Sequence, residues 1–138
     1  RAISAIYCNY GAQTYMNKEE AYRMSTSQLA YLGDAVLELM VRKKLIEEGH
    51  AHPQELAVKY VTAVAQSAAA ERLADEFTDD EADVYRRGRN NTHTSPKSAS
   101  HAQYSRATGI ECVFAYVYLC GDSERLADLF EKGFGSIG

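Results

Sequence analysis

The chain contains the apolar run Leu29-Ala-Tyr-Leu-Gly-Asp-Ala-Val-Leu-Glu-Leu-Met-Val41, whose only charges are Asp34 and Glu38, one helical turn apart. Two like charges at this spacing cost a helix about 0.2 to 0.5 kcal/mol, and partial burial raises that cost. Gly33, in the same run, costs about 1 kcal/mol relative to alanine inside a helix. A site that compensates the carboxylates and brings another group close to the backbone is the simplest explanation.

Helix signals continue on both sides of this run. Ser25 and Gln28 have the spacing of a capping box, which predicts a long helix from Ser25 to about Glu48, stopped by Gly49. Further helices are predicted over about 53–65, 67–76, 78–88, 102–119 and from 122 onward. Residues 90–100 are polar, have no apolar period and are predicted to form a long surface loop. The predicted fold class is therefore all-α, a helical bundle.

Composition indicates one soluble domain. The 138 residues are 46% apolar, which is enough for a single core. A net charge of -4 does not mark a nucleic-acid binder, so only a local patch could bind one. Three cysteines without a Cys-x-x-Cys spacing argue against a disulfide framework or a thiolate zinc site and favour a reducing cytoplasm. No apolar stretch is long enough to span a membrane, so no membrane partner is expected.

The first 24 residues differ from the rest of the chain. They contain Tyr7, Tyr10, Tyr15 and Tyr22 and show no clear period. We interpret residues 1–24 as an N-terminal leader or extension of uncertain status, and residues 25–134 as the folded domain.

A second apolar helix repeats the pattern of the first, because Glu111 is the only charge between Ala107 and Leu119. If the two helices pack together, Asp34 and Glu111 meet, and oxygen ligands alone would select a hard cation such as Mg²⁺. The alternative is that both are ordinary buried acids, paired with arginine or hydrogen-bonded. The residues alone leave both interpretations open.

Two segments carry a family resemblance. Leu29–Glu38 resembles the signature helix of the ribonuclease III family, and Gly109-Ile-Glu-Cys-Val-Phe-Ala-Tyr-Val-Tyr-Leu119 resembles its second acidic helix. The segments 61–66 and 85–90 and the loop ending at Lys97 extend the resemblance over about residues 25–130. It is strongest to the short Mini-ribonuclease III branch, which has the catalytic domain but no double-stranded-RNA-binding domain.

The resemblance implies a ribonuclease III-type endonuclease domain that forms a homodimer. In that family a valley between the subunits binds double-stranded RNA, and each subunit has one Mg²⁺-dependent cleavage site. The resemblance places Asp34 and Glu111 at the catalytic, metal-binding positions. Ala30 and Thr108 stand where the family usually has two further acids, so fewer carboxylates are expected here. Glu38 is a candidate auxiliary ligand, either of the metal or of the groups that bind it directly. The alternative, which the sequence supports equally, is a glutamate that is solvated or paired with arginine.

The resemblance also implies a biological role. By analogy, the substrate is the precursor of large-subunit (23S) ribosomal RNA in a bacterium, with a ribosomal protein or pre-ribosomal particle as a further partner. The alternatives are a ribonuclease III-like RNA-binding or ribosome-assembly factor that does not cut, and a helical dimerisation domain. Survival of both key carboxylates favours the enzyme.

One segment is strongly basic. No Asp or Glu occurs from Val84 to Ile110, and the basic residues there are Arg86, Arg87, Arg89, Lys97 and Arg106. Because this acid-free segment directly precedes Glu111, we expect it to hold RNA phosphates near the metal, with Asn90 and Tyr104 as additional contacts. The three neighbouring arginines cannot be separated from the sequence. A solvated charged face is the alternative, but charges on such faces normally alternate in sign, and here they do not.

Overall fold

The computed structural model describes residues 16–91 and 100–137. Within these ranges the regular elements are all helices: α1 (Lys18–Arg23), α2 (Thr26–Glu47), α3 (Pro53–Val61), α4 (Ala63–Leu73), α5 (Asp79–Asn90), α6 (His101–Leu119) and α7 (Ser123–Phe134). The predicted all-α class is confirmed. Among these helices, none combines the length and apolar character needed to cross a membrane.

Side-chain caps determine where the helices begin. The Ser25 hydroxyl accepts a hydrogen bond from the Gln28 backbone N–H at the start of α2, and the Gln28 side chain accepts one from the Ser25 backbone N–H. Thr78 forms the same reciprocal pair with the third residue of α5, as its sequence predicts. Ser100 begins α6 with another capping box, which the sequence reading missed. Gly49 and Gly121 have φ of 77° and 74°, so both predicted stops adopt the left-handed conformation that favours glycine.

Several predicted boundaries were wrong. The helix predicted over 53–65 ends at Val61, because Thr62 has extended backbone and its hydroxyl caps α4 by accepting from the Ala65 N–H. The following helix is therefore Ala63–Leu73 rather than 67–76. The helix predicted to end near Gly88 continues to Asn90, because Gly88 faces α6 instead of ending the helix.

Part of the N-terminal segment is helical. Asn17 caps the short helix α1 by accepting a hydrogen bond from the Glu20 N–H, and Ala21 is fully buried. The sequence did not predict this helix. Residues 1–15, with three of the four tyrosines noted above, lie outside the described residues.

Helix α6 is the centre of the bundle and packs against α2, α4 and α5. Its buried residues include Ile110, Val113 and Phe114, none of which is exposed to solvent. Burial on every side explains why its sequence is apolar almost throughout. Cys112 is part of this core, and burial raises the pKa of its thiol to about 12, so it is a packing residue as predicted.

Candidate active site

Helices α2 and α6 cross in direct backbone contact at Gly33. A Cβ atom added there would lie 1.8 Å from the backbone carbonyl oxygen of Glu111, so no side chain fits between the two helices. Asp34 is the next residue on α2. The crossing therefore brings Asp34 and Glu111 together, and the group that approaches Gly33 is the helix that carries the second carboxylate.

The two carboxyl groups interact electrostatically. Burial raises the pKa of Glu111 to about 8, and the Asp34 carboxylate adds to the rise through charge repulsion and a hydrogen bond. Asp34 is exposed, whereas Glu111 is partly buried. At neutral pH, with no cation present, Glu111 therefore holds a proton.

No cation in the described part of the chain compensates this pair. Among the described residues, neither Asp34 nor Glu111 forms an ion pair with lysine, arginine or histidine. The described residues therefore do not support the alternative in which Asp34 and Glu111 are paired with arginine. Two adjacent carboxylates with access to solvent fit a hard divalent cation such as Mg²⁺, which is commonly held by one or two carboxylates and keeps several waters.

Further protein ligands are scarce. The described part of the chain has no group of three or more His, Cys, Asp or Glu residues that could hold a metal ion. The Thr108 hydroxyl donates to the Tyr104 carbonyl oxygen over 3.0 Å, and Ala30 has no donor atom in its side chain. Within the described residues, Asp34 and Glu111 are therefore the carboxylates that this site offers a cation, and water or substrate could supply further ligands.

Glu38 pairs with arginine. Its Oε1 lies 2.8 Å from Nη2 of Arg42, one turn along α2, and both side chains are well exposed. This geometry corresponds to the arginine-paired alternative. A pair of this kind is worth about 0.3 to 0.5 kcal/mol and needs no metal to explain it.

A carboxylate that immediately precedes the acid-free segment neutralises the first two arginines of the segment. Arg86 and Arg87 both form ion pairs with Asp83, the residue immediately before Val84. The expected excess positive charge is therefore smaller than the segment suggests. The sequence signal for these pairs is the position of Asp83, which lies three residues before Arg86 and four before Arg87 on the same helix.

Arg87 also fixes α1 against α5. Its Nη2 donates to the Tyr22 carbonyl oxygen over 2.7 Å, and its guanidinium carbon lies 4.7 Å from the centroid of the Tyr22 ring. The Tyr22 hydroxyl in turn donates to Asp83. These contacts give Arg87 a structural role that separates it from its neighbours.

The other predicted RNA-binding residues that the structure describes lie at the end of α5 and on α6. Arg89 and Asn90 are exposed at the end of α5, and Tyr104 and Arg106 are partly buried on α6. Lys97 lies outside the described residues, together with most of the predicted 90–100 loop.

Comparisons with known proteins agree with these features. The family model for the Ribonuclease III domain matches residues 27–122. Mini-ribonuclease 3 of Symbiobacterium thermophilum is 45% identical over 107 residues, which cover 75% of this chain and 82% of that protein. Mini-ribonuclease 3 of a Thermoanaerobacter species is 38% identical over 120 residues, covering 84% of each chain. A crystal structure of a protein from Fusobacterium nucleatum matches with a TM-score of 0.73 and 25% identity, covering 79% of this chain and 90% of that one.

Proposed function

This chain belongs to the ribonuclease III family as an endoribonuclease of its Mini-ribonuclease III branch, and we propose that it cleaves double-stranded RNA with Mg²⁺ held by Asp34 and Glu111. One observation supports the proposal above all others. Two carboxylates from different helices meet at the Gly33 crossing, and no protein cation among the described residues compensates them.

The chain contributes position and charge to this chemistry. A bound divalent ion would polarise the scissile phosphate and lower the pKa of the attacking water. The backbone contact at Gly33 brings the two carboxyl groups close enough to interact. A bound cation would favour release of the Glu111 proton, because its positive charge would offset the burial and the Asp34 carboxylate that raise the pKa of Glu111. The exposed side of Asp34 leaves room for a phosphate of the substrate.

We propose that the RNA backbone is held by the end of α5 and the first half of α6. Arg89, Asn90, Tyr104 and Arg106 lie there, and Lys97 belongs to the segment that joins the two helices. Backbone phosphates supply most of the affinity for nucleic acid, and guanidinium groups that no carboxylate occupies are suited to them. Asp83 makes Arg86 and Arg87 weaker candidates.

A homodimer forms part of the proposal. Helix α2, which carries Asp34, exposes 85% of Tyr31, 65% of Leu39 and 69% of Ile46. Beside Ile46, a groove of about 430 Å³ runs between α2 and α3 and is lined in part by Pro53 and Val58. Exposed apolar side chains beside a groove favour a symmetric interface, and the charged pair Glu38 and Arg42 also lines this groove. Sedimentation velocity should give a dimer, and Ile46→Asp should shift it to a monomer; a wild-type monomer at micromolar concentration would contradict the dimer.

We further propose the precursor of 23S ribosomal RNA as the biological substrate, with a pre-ribosomal particle or ribosomal protein as a partner. Resemblance to the Mini-ribonuclease III branch supports this role. Incubation with the precursor, free or in pre-ribosomal particles, should produce discrete cuts near the mature ends. Uniform degradation, or no cutting in either form, would count against it.

The activity itself is tested with a labelled RNA duplex and the matching single strand. The duplex should be cut in Mg²⁺ and not in EDTA, and the single strand should survive both conditions. Binding of the duplex without cutting in any divalent ion would instead favour the RNA-binding or assembly factor.

A further inference from the structure

Most basic side chains in the described part of the chain are neutralised by carboxylates. Arginines and lysines in ion pairs are Arg23, Arg42, Lys43, Lys44, Arg86, Arg87, Arg125 and Lys132. Within residues 16–91 and 100–137, the basic side chains without such a partner are Lys18, Lys59, Arg72, which donates to the Gly133 carbonyl oxygen, Arg89 and Arg106. Arg89 and Arg106 differ from the other three in their position along the chain. Both come from the acid-free segment, in which the other described arginines, Arg86 and Arg87, are paired with Asp83.

Arg89 and Arg106 both lie close enough to Tyr85 to act on it electrostatically. The guanidinium carbon of Arg89 lies 5.7 Å from the centroid of the Tyr85 ring. The same ring packs against Gly109, where an added Cβ atom would lie 2.7 Å from a ring carbon. Arg106 is one helical turn before Gly109 and therefore lies on the same face of α6.

The electrostatics of Tyr85 agree with this placement. Burial raises the pKa of its hydroxyl, and the charges of Arg89 and Arg106 both act against that rise. Glu71 on α4 raises the pKa of this hydroxyl and is the one carboxylate that acts on it among the described residues. Two positive groups from different helices thus act on Tyr85, and the charge of Glu71 acts against them.

These side chains are held in place before any ligand arrives. The Tyr85 ring packs on Phe77 with centroids 5.4 Å apart, and Nη1 of Arg106 donates to the buried Ser67 hydroxyl over 3.3 Å. Preorganised groups lose less conformational entropy on binding. Guanidinium groups match phosphate oxygens well, because their N–H donors form a planar fork.

We propose that Arg89 and Arg106, positioned by Tyr85, bind backbone phosphates of the RNA at a site separate from the cleavage carboxylates. This inference rests on the proposed RNA substrate and names the residues that contact its phosphates. Arg106 precedes Glu111 by five residues, which is about 7.5 Å along the axis of α6. We expect one RNA duplex to contact both sites, and Arg86 and Arg87 to contribute less to its binding.

The test is duplex binding in EDTA, measured by fluorescence anisotropy over a range of salt concentrations. Arg89→Gln and Arg106→Gln should each reduce the slope of log K against log salt by about 0.9, which is roughly an eightfold weaker affinity at 0.1 M salt. Arg106→Lys keeps the charge and should keep the slope. Arg23→Gln removes an exposed guanidinium that is paired with Glu19 on α1, and it should match the wild type.

The outcomes separate this inference from the proposed function. If the wild type binds and cuts duplex RNA while Arg89→Gln and Arg106→Gln retain its salt slope, the phosphate site is wrong and the nuclease stands. If Arg23→Gln reduces the slope as much as they do, the effect is one of net charge and the site is also wrong. If the wild type binds no duplex, both proposals fail.

Discussion

The backbone carbonyl oxygen of Glu111 lies where a side chain on Gly33 would begin, 1.8 Å from the position of an added Cβ atom. Residue 33 immediately precedes Asp34, so the contact that joins α2 to α6 also places the two carboxylates side by side. The packing of the bundle and the geometry of the candidate site therefore depend on the same crossing.

Gly33→Ala should destabilise the protein and remove cleavage. The new methyl group forces the helices apart, which we expect to cost about 3 kcal/mol in the free energy of unfolding. Gly49→Ala is the matched control: its Cβ would have nothing within 4 Å, so only the strain of a φ of 77° remains, about 1 kcal/mol. Urea unfolding and duplex cleavage measure both effects. Wild-type stability in Gly33→Ala would contradict the close crossing.

The stability of the metal-free protein should fall as pH rises. The pKa of Glu111 is raised from 4.5 to about 8 in the folded state, so its contribution is fully present below pH 4.5 and is lost as pH rises to about 8. Since the group is only partly buried, we expect a loss of about 2 kcal/mol. Urea unfolding in EDTA between pH 5 and about pH 8.5 tests this, and Glu111→Gln should remove the contribution. An equal slope in wild type and variant would refute it.

Glu38→Gln should leave cleavage within about threefold of the wild type, because Glu38 pairs with Arg42 on an exposed helix surface. The rate is measured across a titration of Mg²⁺. A large increase in the Mg²⁺ concentration needed for half-maximal rate would show instead that Glu38 acts as an auxiliary ligand.

Arg87→Gln should cost more stability than Arg86→Gln. Arg87 loses its contacts with Tyr22 as well as its ion pair, which we estimate at about 2 kcal/mol, whereas Arg86 loses an exposed pair worth less than about 1 kcal/mol. Thermal unfolding of the two variants gives the comparison. Similar melting temperatures would show that the contact between α1 and α5 contributes little.

Local signals in the sequence predicted much of the fold and the centre of the candidate site. The capping boxes at Ser25 and Thr78 and the glycine stops at Gly49 and Gly121 are patterns within a few residues, and the structure has all of them. Isolated carboxylates in two apolar helices indicated that Asp34 and Glu111 would meet if the helices packed together, and the family resemblance was needed to choose between a metal site and ordinary buried acids.

The sequence missed features that depend on tertiary contacts. Arg87 contacts Tyr22 across 65 positions, so no local pattern separates it from the neighbouring arginines. Helix α1 is too short to show a period, and burial of Ala21 stabilises it. Thr62 was read as the interior of a helix because its role as a cap depends on a change of chain direction that propensities do not encode.

The most direct test of the central claim compares duplex cleavage by the wild type, Asp34→Asn and Glu111→Gln in Mg²⁺, with RNA binding measured on the same samples. Both substitutions keep the shape of the side chain and remove a metal-binding oxygen charge. We expect each variant to fold and bind RNA but to cut more than about 100-fold more slowly. Folded variants that cut at the wild-type rate would show that Asp34 and Glu111 do not form the active site.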